Sequence, residues 1–202
     1  MMTDGVEIMN QDMEAFFDQL APNWDPAPDK YELREELAAR MNISPNSVIA
    51  DIGCGTGVMF EHLLKTDPAK IIAVDISGEM LRSAKARFGD SRIEYIHDNF
   101  LNAALPLSDA VIFFNSYPHF QDKSAVAKKA AQVLKIGGAL IIAHSMSKSE
   151  INNRHKGESV SKLSVTLESA EVEADKFKPF FTLDSLIDNE RMYFIKMVRV
   201  KI

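Results

Sequence analysis

Asp51-Ile52-Gly53-Cys54-Gly55-Thr56-Gly57 places three alternate glycines between a short apolar run and a segment with helical spacing. Alternate glycines let a backbone bend tightly and approach a ligand with no Cβ in the way. A helix that starts just beyond offers its unpaired N–H groups to a polar ligand end. Asp75 closes the next apolar run, in Ala73-Val74-Asp75-Ile76-Ser77. A carboxylate at that point is placed to accept hydrogen bonds from ribose hydroxyls. Glycine turns and solvated acids are common singly, but strand, turn, helix, strand and acid in this order point to a nucleoside-type ligand. The dinucleotide fingerprint G-x-G-x-x-G does not fit, because Val58 stands where its third glycine belongs and Gly57 comes one residue early. A nicotinamide oxidoreductase is disfavoured on that ground. A phosphate-binding P-loop fails too, since no Gly-Lys-Ser/Thr follows.

A second group of polar residues follows the later strands: Asn115, Tyr117 and His119, then His144, Ser145, Asn153 and His155. His119, in Asn115-Ser116-Tyr117-Pro118-His119-Phe120, is the first choice for a general base, because an imidazole titrates near neutral pH. The competing reading is a residue that only orders its loop. His144 ends an apolar strand, so a buried histidine with a structural role competes with a catalytic one. The histidine spacing matches no recognised metal site, and no metal is expected. Cys54 is the single cysteine, which excludes an internal disulfide framework and a thiolate zinc site. It sits where a small residue suffices, with no histidine close in sequence.

These groups must be held by elements that the hydrophobic pattern outlines. Helical spacing covers Glu7 to Ala21, and Asp29 is a candidate cap for a second helix running to Asn42. Strands are predicted over 47–52, 70–75, 92–96, 109–114 and 138–144, alternating with helices over 58–65, 78–88 and 123–134. Such alternation implies a mostly parallel sheet covered on both faces. A helix over 168–178 and two strands, 181–187 and 191–200, complete the pattern, and the turn Asp188-Asn189-Glu190 makes those strands an antiparallel hairpin. The 202 residues suit one domain: a lead-in over 1–45, a ligand-binding core over 46–144 and a further segment over 145–202. The hydrophobic fraction of 46% and charged fraction of 26% are those of a globular protein. Net charge is −6 without a Lys/Arg block, which argues against nucleic acid as a partner. The longest apolar runs, such as Ala139 to Ala143, are strand-sized, so no membrane span is expected. Met1 to Asn10 carries Asp4 and Glu7 and no basic cluster, so it does not read as a secretory signal, and a cytoplasmic location is expected.

The segment 51–57 resembles motif I of the class I S-adenosylmethionine-dependent methyltransferases, and Asp75 matches the acid with which they hold the ribose. Asp98-Asn99-Phe100 is similar to their adenine-contacting segment, an acid for the exocyclic amine beside an apolar neighbour. Leu134-Lys135-Ile136-Gly137-Gly138-Ala139-Leu140 resembles their Leu-Lys-Pro-Gly-Gly turn, with Ile136 replacing the usual Pro. The resemblance covers roughly Ser47 to His144. It implies a Rossmann-like, doubly wound α/β fold: a seven-stranded, mostly parallel sheet with an antiparallel C-terminal hairpin, helices on both faces and an N-terminal helical lid. S-adenosylmethionine is the implied cofactor. Its implied contacts are Asp51, Gly53, Cys54, Gly55, Gly57, Asp75, Ile76, Met80, Asp98, Asn99, Phe100 and Asn115.

The implied reaction is in-line methyl transfer to a small-molecule acceptor, with the enzyme aligning that acceptor and managing its proton. His119 and Tyr117 are the candidate catalytic residues. Phe16-Phe17-Asp18-Gln19-Leu20-Ala21-Pro22-Asn23-Trp24-Asp25 resembles the lead-in of quinone-type C-methyltransferases, so Phe17 and Trp24 are candidate walls of the acceptor pocket. His144, Asn153 and His155 are further candidates for the acceptor side, in a stretch similar to one in the broad type-11 set. Ser147 or Ser149 could cap a short helix carrying Asn153 and His155. A non-catalytic sensor of the same nucleoside is the alternative, disfavoured by the intact glycine turn, Asp75 and Asp98. A nucleic-acid or protein methyltransferase is disfavoured by the acidic balance, and Asn115-Ser116-Tyr117-Pro118 only partly echoes the motif of base-amino methyltransferases. A homodimer is left open.

Overall fold

The computed structural model describes residues 3–24, 30–156 and 162–201. The first half runs α1 (Thr3–Leu20), a 3-10 turn (Ala21–Asn23), α2 (Tyr31–Met41), β1 (Val48–Ile52), α3 (Phe60–Leu64), β2 (Lys70–Asp75), α4 (Gly78–Arg87) and β3 (Ile93–His97). The second half runs β4 (Ser108–Phe114), a 3-10 turn (Tyr117–His119), α5 (Lys123–Val133), β5 (Leu134–His144), α6 (Lys148–Arg154), α7 (Ala170–Asp175), β6 (Phe181–Asp188) and β7 (Tyr193–Arg199).

The seven strands form one sheet in the order β3-β2-β1-β4-β5-β7-β6. The first five are parallel, and β7 enters antiparallel between β5 and β6. This is the expected α/β sheet with its terminal hairpin. Alternate strand residues face opposite sides, so the sheet has two cores. Ala50, Ile52, Val111 and Phe113 join Val126 and Ala130 of α5 and Ala174 of α7 on one face. Ile49, Ile71 and Ile112 join Leu37 of α2, Leu63 of α3 and Leu81 of α4 on the other.

Several boundaries differ from the pattern reading. Leu134 enters β5 directly after α5, and the Leu-Lys-Ile-Gly-Gly segment is a bulge within the strand. Ser108 pairs with Leu134 and Ala110 with Ala139, so four residues of β5 face one of β4. Helix α3 starts two residues later than expected, at Phe60, because the turn continues through Met59. Lys30 holds the N-cap position of α2 without a side-chain cap bond. The candidate cap Asp29 lies outside the described residues. Ser147 does cap α6, in a reciprocal capping box with Glu150.

β1 pairs with β2 on one side and β4 on the other. Connections leaving its carboxyl end therefore diverge to the two halves of the sheet. A crevice opens where strand order reverses, the usual ligand position in open α/β sheets.

Candidate active site

A cavity of about 540 Å³ fills that crevice, within the roughly 300–1,000 Å³ typical of small-ligand sites. Its floor is the carboxyl ends of the strands: Ile52 and Gly53 after β1, Val74 and Asp75 on β2, Asp98 after β3, Asn115 after β4 and Ser145 after β5. Helix α1 and the following turn cover it with Asn10, Met13, Phe17 and Trp24.

The glycine turn is shaped by close approach on one side and openness on the other. Gly53 has φ +66°, and a Cβ there would lie 2.6 Å from the Ser116 Cβ. Gly55 has φ +55° with no atom within 4 Å of a Cβ position, and it lines the cavity. The turn is thus packed beneath Gly53 and bare at Gly55, where a ligand can reach the backbone. Gly57 does not border the cavity; a Cβ on it would strike the Phe60 ring, so its role is to seat α3.

Asp75 anchors this turn. One carboxylate oxygen accepts the Gly55 N–H at 2.7 Å and the other the Ser77 N–H at 2.9 Å. Each oxygen keeps lone-pair capacity for the cavity. Burial pushes its pKa up to about 6, against the pull of those two N–H bonds. Asp51 lies behind the turn and does not border the cavity. Its Oδ1 is buried with no partner, and burial, then the Asp75 charge, pushes its pKa up to about 7. The donor set bordering the cavity fits a nucleoside: Asp75 for vicinal hydroxyls and Asp98 for an exocyclic amine. Asp51, expected among the contacts, is walled off behind the turn. Asp98 accepts the Asn99 N–H at 2.7 Å through Oδ1, leaving its second oxygen. Phe100, Ile76, Met80, Asn99 and Cys54 also line the cavity. Burial holds the Cys54 thiol protonated, so it is no nucleophile.

The lid is fastened on this side. Asn99 Nδ2 donates to Asn10 Oδ1 at 2.8 Å. His97 Nε2 lies 3.0 Å from Glu14. Asp18 accepts from the Ser77 hydroxyl and the Glu79 N–H at the start of α4.

The opposite end is built from distant segments. His119 lines the cavity, and its Nδ1 lies 3.1 Å from the Leu163 carbonyl. That contact requires Nδ1–H and leaves Nε2 as an acceptor. Burial pushes its pKa down to about 4, so the ring is neutral at physiological pH. The Phe17 and His155 rings pack edge-on against it, with centroids 5.1 and 5.0 Å away. Asn115 has φ +54° and bridges β4 to β5, accepting from the Ser145 N–H at 3.0 Å and donating to its hydroxyl at 3.2 Å.

Several expected residues lie elsewhere. Tyr117 is fully buried away from the cavity. Its hydroxyl donates to Glu173 at 2.8 Å, and Lys123 Nζ sits 3.6 Å from its ring centroid while donating to its carbonyl at 2.6 Å. The phenol points into this network because the 3-10 turn directs residues 117 and 119 to opposite sides. Burial and the Glu173 charge raise its pKa, so it is no catalytic acid or base. His144 is buried at the end of β5 against Tyr193, with Nε2 unpartnered and pKa pushed down to about 3 by burial. Asn153 is exposed and accepts from Lys156. His155 reaches the site only through the His119 ring. Among the described residues no group of three or more His, Cys, Asp or Glu is placed to hold a metal ion.

The structure adds cations that the pattern reading missed: Lys30, Arg34 and Arg154 all border the cavity. Arg34 has a signal in the sequence. It precedes Leu37 and Met41 by three and seven residues, and so lies on the buried face of α2.

Comparison with known proteins gives a consistent result. Residues 49–138 match a methyltransferase domain family. An uncharacterized methyltransferase of Mycobacterium tuberculosis strain H37Rv is 30% identical over 96 residues, 46% of this chain and 48% of that protein. The malonyl-[acyl-carrier protein] O-methyltransferase of Acetivibrio thermocellus is 31% identical over 133 residues, 63% and 47% of the two chains. The matched stretches thus span about half the length of these relatives. The N-methyltransferase NodS of Bradyrhizobium japonicum WM9, solved with S-adenosyl-L-homocysteine, shares the fold with a TM-score of 0.73 at 15% identity, covering 96% of this chain and 99% of that one.

Proposed function

We propose that the chain belongs to the class I S-adenosylmethionine-dependent methyltransferases and transfers the cofactor's methyl group to a small-molecule acceptor. The observation that carries this reading is the cavity at the sheet's reversal point, with a bare glycine turn and Asp75 at one end and a neutral imidazole at the other. When bound, S-adenosylmethionine supplies a sulfonium methyl open to in-line attack by a lone pair.

The chain's own residues then have separable tasks. Asp75 holds the ribose hydroxyls, Asp98 and Asn99 the adenine edge, and Phe100, Ile76 and Met80 wall the base. Arg34, close enough to Glu61 and His62 of α3 to act on their charges, neutralises the cofactor carboxylate beside the turn. Phe17 and Trp24 exclude water from the acceptor end. His119 accepts a hydrogen bond from the acceptor through Nε2 and aims its nucleophilic atom. Its low pKa makes it a director of that proton rather than a strong base. No helix among the described residues is long and apolar enough to cross a membrane.

Calorimetric titration with S-adenosylmethionine, S-adenosylhomocysteine and NAD tests the reading. Micromolar binding of both sulfur nucleosides without NAD is expected, followed by a gain of one methyl mass in an acceptor screen. Binding of NAD alone would overturn the assignment, and tight S-adenosylhomocysteine binding with no transfer would favour a sensor.

A further inference from the structure

The cations bordering the cavity exceed what the cofactor requires. Lys30 and Arg34 stand four residues apart at the start of α2, which puts them on one helix face, and Arg154 ends α6. The chain is otherwise acidic, with a net charge of −6. Lys30 and Arg154 are far apart in the sequence, yet both line the same cavity, and both act on the charge of Glu150. Glu150 is itself committed to the α6 cap, its Oε2 accepting from the Ser147 N–H and hydroxyl, each at 2.9 Å. Among the described residues no ion pair ties up Lys30 or Arg154.

We propose that Lys30 and Arg154 form an anion-binding subsite at the acceptor end, and that the acceptor is an organic carboxylate with an apolar body. This rests on the methyltransferase reading. S-adenosylmethionine carries one carboxylate, for which Arg34 suffices; its ammonium and sulfonium are cationic and gain nothing from further positive charge. Asp122 also lines the cavity and Glu150 lies near both cations, but among the described residues neither acid makes an ion pair with Lys30 or Arg154, so a ligand carboxylate supplies the partner that both lack. The apolar wall of Phe17, Trp24 and Met146 lines the same cavity and suits the rest of such a molecule. The held carboxylate is a handle and not the nucleophile, because an oxygen whose lone pairs face two cations attacks a methyl group poorly. The methylated atom is another group of the same molecule, presented beside His119.

Trp24 is the single tryptophan and borders the cavity, so its fluorescence reports occupancy. The experiment titrates the protein, with and without S-adenosylhomocysteine, with phenylacetate and decanoate and with their neutral amides. The acids are expected to bind about tenfold more tightly than the amides, and added salt should weaken the acids alone. Arg154→Gln and Lys30→Gln should each lower acid affinity by about tenfold and leave S-adenosylhomocysteine affinity unchanged. Equal affinity for acids and amides, no acid binding to the S-adenosylhomocysteine complex, or an undiminished acid preference in the double variant would overturn the subsite. Acid binding by a protein that ignores S-adenosylhomocysteine would overturn the methyltransferase reading and leave the subsite standing.

Discussion

The two ends of the cavity are built by opposite strategies. At the cofactor end the working surface is backbone and strand-end carboxylates: Gly53 and Gly55 follow β1 directly, Asp75 closes β2, and Asp98 follows β3. At the acceptor end it is side chains gathered from α1, α2, the turn after β4 and α6. The first end is fixed once the sheet forms. The second exists only when segments distant in sequence dock together, as the His119–Leu163 and Tyr117–Glu173 bonds require. A shared cofactor needs a rigid, repeatable cradle, whereas an acceptor site must be free to change without disturbing it.

The contrast is sharpest at Asp75. Asp75→Ala removes the proposed ribose acceptor and the anchor of the Gly55 N–H together, so S-adenosylhomocysteine affinity should fall roughly 100-fold. Calorimetry checks this, with circular dichroism expected to show the fold intact. Wild-type affinity in the variant would mean that the two ends are not divided as described.

The glycine turn gives the next largest effect, and a divergence between neighbours. Gly53→Ala forces a Cβ to within 2.6 Å of Ser116 at positive φ and should cost about 2–4 kcal/mol of stability in urea unfolding. Gly55→Ala meets no protein atom, so about 1 kcal/mol is expected from its φ alone, with the larger loss in cofactor affinity.

Acidification separates the ends by sign. Asp75, with its pKa raised to about 6, loses as pH falls the charge with which it is proposed to hold the cofactor. S-adenosylhomocysteine affinity should therefore decline from pH 7 to pH 5, by up to about tenfold per pH unit. His119 and His144 have folded values lowered to about 4 and about 3, against about 6.5 unfolded. The unfolded chain then binds more protons between those limits, so their contribution to stability is complete above pH 6.5 and is lost as pH drops toward 4. In the folded protein Asp51 and Asp75 bind protons more readily than when unfolded, so across the same range acidification partly offsets that loss. Chemical denaturation in a pH series checks the balance: the loss should lessen in a His144→Phe variant.

The smallest expected effect on turnover is at Tyr117. Tyr117→Phe leaves buried Glu173 short of one donor and should cost about 1–3 kcal/mol of stability, while the chemical step keeps its rate within about threefold. A larger fall in kcat at unchanged cofactor affinity would return the phenol to the reaction.

The same division explains what could be read from the sequence. The cofactor end was legible because its residues sit within a few positions of strand ends, and strand ends follow from apolar runs bounded by glycine or acid. Asp51 was placed correctly on its strand, but its side chain lies behind the turn, since a register reading does not give the depth of a group at a strand terminus. At the acceptor end, spacing revealed that Tyr117, His119, His144 and His155 are polar groups after strands and not which way each one faces. Tyr117 and His144 turned into the core, and only His119 opened onto the cavity. Lys30 and Arg154 carried no local signal, because their meaning lies in proximity across the fold. Arg34 did carry one, as a charge on the buried stripe of α2.

Helix α1 presents Met13 and Phe17 to the interior of the cavity while Asn10, Glu14 and Asp18 grip the loops that flank the cofactor. The helix is therefore door and wall at once. An opening of α1 would break its bonds to Asn99, His97 and Ser77 and withdraw Phe17 from the cavity together. The proposed transfer would then be ordered, the cofactor entering first and leaving last, and product-inhibition patterns with S-adenosylhomocysteine check it.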